Sequence, residues 1–120
     1  MAHLTGVDFV ALQVHDMEVS RRFYTEQLGL KTAPHSPPNA VVFQTSPIPF
    51  AIRTPSVDLS ASTHLGWGVA LWFACDDADV LCASLEATGV NIVQQPFDGP
   101  FGRTFLFSDP DGYTITAHGG

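Results

Sequence analysis

The chain states one structural unit twice. Residues 7–30, VDFVALQVHDMEVSRRFYTEQLGL, begin with Val10, Leu12 and Val14 alternating with Phe9, Ala11 and Gln13, the two-residue period of a strand. Asp16 follows as a helix N-cap, Phe23, Tyr24 and Leu28 recur at helical spacing, and Gly29 stops the helix. Residues 67–90, WGVALWFACDDADVLCASLEATGV, repeat this order about 60 positions later. There Leu71, Phe73 and Cys75 alternate with Ala70, Trp72 and Ala74, Asp76 or Asp77 caps, and Ala78, Leu81, Cys82 and Leu85 make one apolar helix face before Gly89.

Short strand-like runs complete each copy: 40–45 and 50–54 in the first, 91–94, 104–108 and 113–118 in the second. DPDG at 109–112 links the last two as a hairpin. Each copy is expected to be β-α-β-β-β, giving an α+β chain of two tandem modules, about 1–60 and 61–120. The prolines of PHSPPN (34–39) and SPIP (46–49) mark exposed connections. A module with one helix covers one face of its sheet and leaves the other open. Two open faces curled inward are expected to wall a cleft.

Composition narrows the functions. At 120 residues with 45% apolar content, the chain has enough material for a single domain's core. No apolar run approaches the roughly 20 residues of a membrane span, and the N-terminus lacks the pattern of a secretion signal. A soluble cytoplasmic protein with no membrane partner is therefore expected. Twelve acids against five Lys and Arg give a net charge of −7, the wrong sign for nucleic acid. Cys75 and Cys82 match no zinc spacing and are expected to pack as reduced, small hydrophobes.

The stretches VHDMEVSRRFYTEQLGL, ACDDADVLCASLEATGV and GRTFLFSDPDGYTI, in this order, resemble the glyoxalase/bleomycin-resistance/dioxygenase family, the vicinal-oxygen-chelate fold. The resemblance covers essentially the whole chain. It implies a curved sheet around a cleft and a dimer, with the paired modules coming either from one chain or, by exchange of strands or modules, from two. In enzymes of this family a divalent metal is held by His and Glu side chains from the cleft strands. Those positions fall here on Phe9, on Ala70, on Thr116 and on either Ile52 or Arg53, so no metal and no other cofactor is expected.

Without a metal the expected site is an aromatic pocket. Its candidates are Phe9, Phe43, Phe50, Trp67, Trp72 and Phe105 as walls, with Phe101 also beside strands that could border it, and Gln13, Thr114, Thr116 and His118 as hydrogen-bonding groups. Phe43 and Phe105 belong either to this pocket or to the core. Trp72 stands between Ala70 and Ala74, which leaves room beside its ring for a planar ligand. The resemblance implies a metal-independent protein that sequesters an antibiotic, with a small molecule as its partner and no catalytic residue. The alternative is an enzyme of this fold that acts on a small metabolite without the usual metal, with His118 as acid/base.

Overall fold

The computed structural model describes residues 2–120. The chain divides into two compact units, Met1–Leu59 and Ser60–Gly120. The first contains β1 (Val10–Gln13), α1 (Met17–Arg22) running into a π-helical turn (Phe23–Gln27), β2 (Ala40–Phe43) and β3 (Phe50–Arg53). The second contains β4 (Leu71–Ala74), α2 (Ala78–Ala87), β5 (Ile92–Gly99), β6 (Gly102–Ser108) and β7 (Thr114–His118), after a short 3₁₀ turn, Leu59–Ala61, at the junction.

The two units start their helices by the same device. The Asp16 carboxylate accepts from the Val19 amide at 3.1 Å, and the Asp77 carboxylate accepts from the Val80 amide at 3.1 Å. Both caps are extended and satisfy a donor the first helical turn leaves open. Both helices are followed by a glycine with positive φ, +76° at Gly29 and +87° at Gly89.

The sheets share a topology. In the first unit the order is β1-β3-β2, in the second β4-β7-β6-β5, and in each the first strand lies parallel to the last. The first unit falls one strand short of the expected β-α-β-β-β. Its fourth position holds only a stub, where Thr32 bridges Phe43 and Ala33 donates to the Val42 carbonyl at 2.7 Å. Pro34, Pro37 and Pro38 follow immediately, and proline has no amide to extend a ladder. In the second unit β5 runs well past the expected 91–94. The register slips between Gln94 and Phe97, so Pro96 sits in an irregular stretch of an edge strand where a missing donor is tolerated.

Each helix packs on one sheet face. In the first unit Tyr24 is fully buried against Phe43 at 5.7 Å and Phe50 at 5.2 Å between ring centroids. Val10 pairs with Phe50, so Val10, Leu12 and Val14 share this helix side. In the second unit Phe105 and Phe107 stack at 5.5 Å, buried along with Ile115, Leu85 and Cys82.

The DPDG hairpin is organised by a buried carboxylate. Asp109 Oδ1 accepts from the Asp111 amide at 3.0 Å and the Tyr113 amide at 2.9 Å. The Asp109 amide in turn donates to the Tyr113 carbonyl at 2.9 Å. Alanine at 109 deprives two amides of a charged acceptor, and hydrogen bonds to charged groups contribute about 1.5–3 kcal/mol. Asp109→Ala is therefore expected to lose about 2 kcal/mol in urea unfolding and Asp109→Asn distinctly less. Equal losses in the two variants would contradict this assignment.

Candidate functional site

The alternation of the second sheet leaves one face without the helix. Trp72 of β4 pairs with Thr116 of β7, and Thr116 with Leu106 of β6. One step along, Ala74 pairs with His118 and His118 with Thr104. Thr114, beside Ser108, belongs to the same face. Trp72, Thr114, Thr116 and His118 are thus brought onto one surface by strand register alone.

Three rings meet there. Trp72 and His118 lie 5.8 Å apart between centroids, Trp72 and Phe101 5.7 Å, and Phe101 and His118 6.3 Å. Phe101 comes from the tip of the β5–β6 hairpin, in DGPFG, which folds over the end of the sheet. Trp72 is 46% exposed and Phe101 68% exposed, so the cluster presents aromatic surface to solvent. His118 Nδ1 lies 3.3 Å from the Phe101 carbonyl oxygen. A carbonyl only accepts, so Nδ1 carries the proton in this contact and Nε2 of the neutral ring is left as an acceptor.

Of the other sequence candidates, Phe9, Gln13, Phe43 and Phe50 belong to the first unit and Trp67 and Phe105 to the second. Phe43, Phe50 and Phe105 lie in the helix-side cores rather than on an open face: Phe43 pairs with Phe50, Phe50 also with Val10, and Phe105 with Ala117, and all three aromatic side chains are buried. Phe43 and Phe50 stack on each other at 5.8 Å beneath Tyr24. Phe9 immediately precedes β1 and is 46% exposed. Gln13 has its side-chain oxygen engaged by the Ser56 and Val57 amides at 2.8 and 3.3 Å, pinning the chain after β3. Trp67 sits in the loop before β4, with its ring 4.8 Å from that of His64. Thr116 is buried and Thr114 exposed.

Burial, then the Asp76 carboxylate, pushes the Cys75 thiol up, and burial, then Glu86, does the same to Cys82. Burial, followed by Asp111 and Asp109, raises the Tyr113 phenol.

The profile of the Glyoxalase/Bleomycin resistance protein/Dioxygenase superfamily matches residues 6–116. The chain belongs to this superfamily. Solved structures of the same fold include a protein from Agrobacterium tumefaciens determined in solution by NMR, with 28% identity, TM-score 0.73 and coverage of 97% of this chain and 98% of that one. A second, a protein of unknown function from Agrobacterium tumefaciens str. C58, has 25% identity and TM-score 0.74, covering 100% of this chain and 97% of that chain. A lactoylglutathione lyase from the same species, at 19% identity and TM-score 0.70 over 98% of this chain and 95% of that chain, shares the fold. No curated protein matches.

Enzymes of the superfamily use a divalent metal, and the donors available here do not fit one. The family resemblance puts the ligand positions at Phe9, Ala70, Thr116 and either Ile52 or Arg53, and none of these side chains is a His or a carboxylate. Ile52 is fully buried on the helix side of its sheet, and Arg53 pairs with Gln13 on the open side. Among the described residues no three His, Cys, Asp or Glu side chains converge as a metal-binding group. Nor is any helix among them long and apolar enough to cross a membrane.

The sequence places Phe101 beside strands that could border the cleft, but not its partners: its only local signal is a turn, and His118 lies 17 positions away.

Proposed function

We propose that this superfamily member is a metal-independent small-molecule binding protein that sequesters an antibiotic, a planar aromatic or cationic DNA-damaging natural product, and so confers resistance. The observation that carries it is the half-exposed cluster of Trp72, Phe101 and His118 on a sheet face whose metal-ligand positions hold no donors. Aromatic rings offer flat, desolvatable area for stacking, and each aromatic pair contributes about 0.5–1.5 kcal/mol beyond its burial. Thr114, Thr116 and the free ring nitrogen of His118 surround it with hydrogen-bonding groups. Sequestration requires affinity alone.

One observation favours a second reading. The Phe101 carbonyl fixes the His118 tautomer, which is how a general base is oriented, and an enzyme without the usual metal would use such a group. Equilibrium dialysis against a panel of planar and cationic antibiotics, followed by mass spectrometry of the recovered compound, separates the two. Saturable retention of an unchanged drug is expected. A chemically altered drug would contradict sequestration and favour the enzyme.

A homodimer is part of the proposal. Strand β4 is hydrogen bonded to β7 on one side only, and its other edge presents backbone donors and acceptors beside exposed Val69 and Trp72. Such an edge invites a second strand. Light scattering is expected to give twice the 12.9 kDa chain mass, and a strictly monomeric mass at micromolar concentration would contradict it.

A further inference from the structure

We infer that the Trp72–Phe101–His118 surface selects organic cations that carry an N–H donor, with Nε2 of neutral His118 accepting from that donor and a proton on His118 competing with the ligand. The inference rests on the binding function proposed above and names the chemical class that the site takes.

Charge is distributed unequally between the two units. The first carries Asp8, Asp16, Glu18, Glu26 and Asp58 against Arg21, Arg22, Lys31 and Arg53, a net −1. The second carries seven carboxylates against Arg103, its one Lys or Arg, a net −6. That arginine is neutralised twice over, by Asp79 at 3.1 Å and Asp98 at 3.3 Å. The aromatic cluster therefore lies on a unit whose field attracts cations and offers no cationic group to hold an anion.

The rings add a local preference of the same sign. The faces of Trp and Phe attract cations, and Trp does so best. The His118 hydrogen bond to the Phe101 carbonyl leaves Nε2 as an acceptor, and an ammonium or amidinium N–H is its complement. Protonation of His118 removes that lone pair and places a like charge beside the ligand.

The surroundings leave this switch to His118. On the neighbouring strand β4 the adjacent residue is Ala74, with Cys75 alternating to the opposite side and Asp76 beyond the strand. On β6 the adjacent residue is Thr104, while the Arg103 side chain is held by Asp79 of α2 and Asp98 of β5. The hairpin tip contributes the uncharged Phe101.

Three flat probes of similar size test the inference: 9-aminoacridine, cationic with N–H donors; N-methylacridinium, cationic without them; and 9-anthracenecarboxylate, anionic. Dissociation constants are measured by equilibrium dialysis between about pH 8 and pH 5, the interval in which imidazoles change charge. The expected order is 9-aminoacridine tightest, N-methylacridinium weaker, and 9-anthracenecarboxylate at least about tenfold weaker than 9-aminoacridine. The 9-aminoacridine affinity should be lower at the acid end of the range than at the alkaline end. His118→Gln and His118→Asn, which keep an acceptor and cannot take up the proton, should flatten that profile. Anthracenecarboxylate binding as tightly as 9-aminoacridine, or an unchanged pH profile in both variants, would overturn the inference and leave the binding function standing. Failure of all three probes to bind the wild-type protein would overturn both.

Discussion

Gly119→Ala is expected to lower the melting temperature by on the order of 10 °C, the largest effect of an alanine at any of the described glycines. The reason is a close approach of two backbones. A Cβ at Gly119 would lie 1.7 Å from the Cys75 carbonyl oxygen and 2.8 Å from its carbon. Neither atom can rotate away, because they belong to the strand exit that carries the Asp77 cap. The backbone of Gly119 is itself engaged, its amide donating to the Arg103 carbonyl at 2.9 Å and its carbonyl accepting from the Ala78 amide at 3.0 Å. Its φ of +151° adds a conformational penalty for any L side chain. Alanine must break these contacts, for a loss of about 3 kcal/mol or more. Gly29→Ala supplies the comparison. Its φ is +76° with nothing within 4 Å of the added Cβ, so only the conformational penalty of about 1 kcal/mol applies. Equal melting temperatures for the two variants would show that residue 119 is not packed on Cys75.

Trp72→Ala is expected to weaken binding of 9-aminoacridine by about 30-fold or more, since truncating a central aromatic contact costs about 2 kcal/mol or more. The tryptophan is half-exposed on an edge strand, so its removal should leave the fold intact. It makes ring contacts with both Phe101 and His118, and alanine removes the stacking face and loosens the two rings together. Calorimetric titration measures the loss independently of fluorescence, which the substitution itself diminishes. Trp72→Phe should recover part of the affinity. Unchanged affinity in Trp72→Ala, with unfolding unaltered, would place the ligand elsewhere.

What could be read from the sequence was short-range. Asp16 and Asp77, with Gly29 and Gly89, mark their helices because a cap and a stop are decided within a few residues. The alternation in β1 and β4 correctly separated Val10 and Leu71 from Ala11 and Trp72 because one side of each strand is distinctly more apolar. For Phe43 and Phe105 the sequence left pocket and core both open, and they lie in the core, as does Phe50, which was expected at the pocket wall. A two-residue period says which residues share a face, but not which face receives the helix, and β3 is buried on both sides up to Arg53. The stub at Thr32 and the long β5 depend on proline acting in opposite ways, stopping one ladder and being tolerated in the bulged edge of another. Phe101 could be read as an aromatic beside the cleft strands, but its partners could not: a turn residue acquires its role from the residue it folds onto, and no local pattern connects it with His118.

In the proposed function, ligand binding belongs to aromatic and hydrogen-bonding side chains and needs no metal. A calorimetric titration of 9-aminoacridine into protein dialysed against EDTA, beside the same protein supplied with Zn, Ni, Fe or Mn, tests this. The same dissociation constant and one ligand per site are expected in every case. Binding that vanishes on chelation and returns with one equivalent of metal would contradict it.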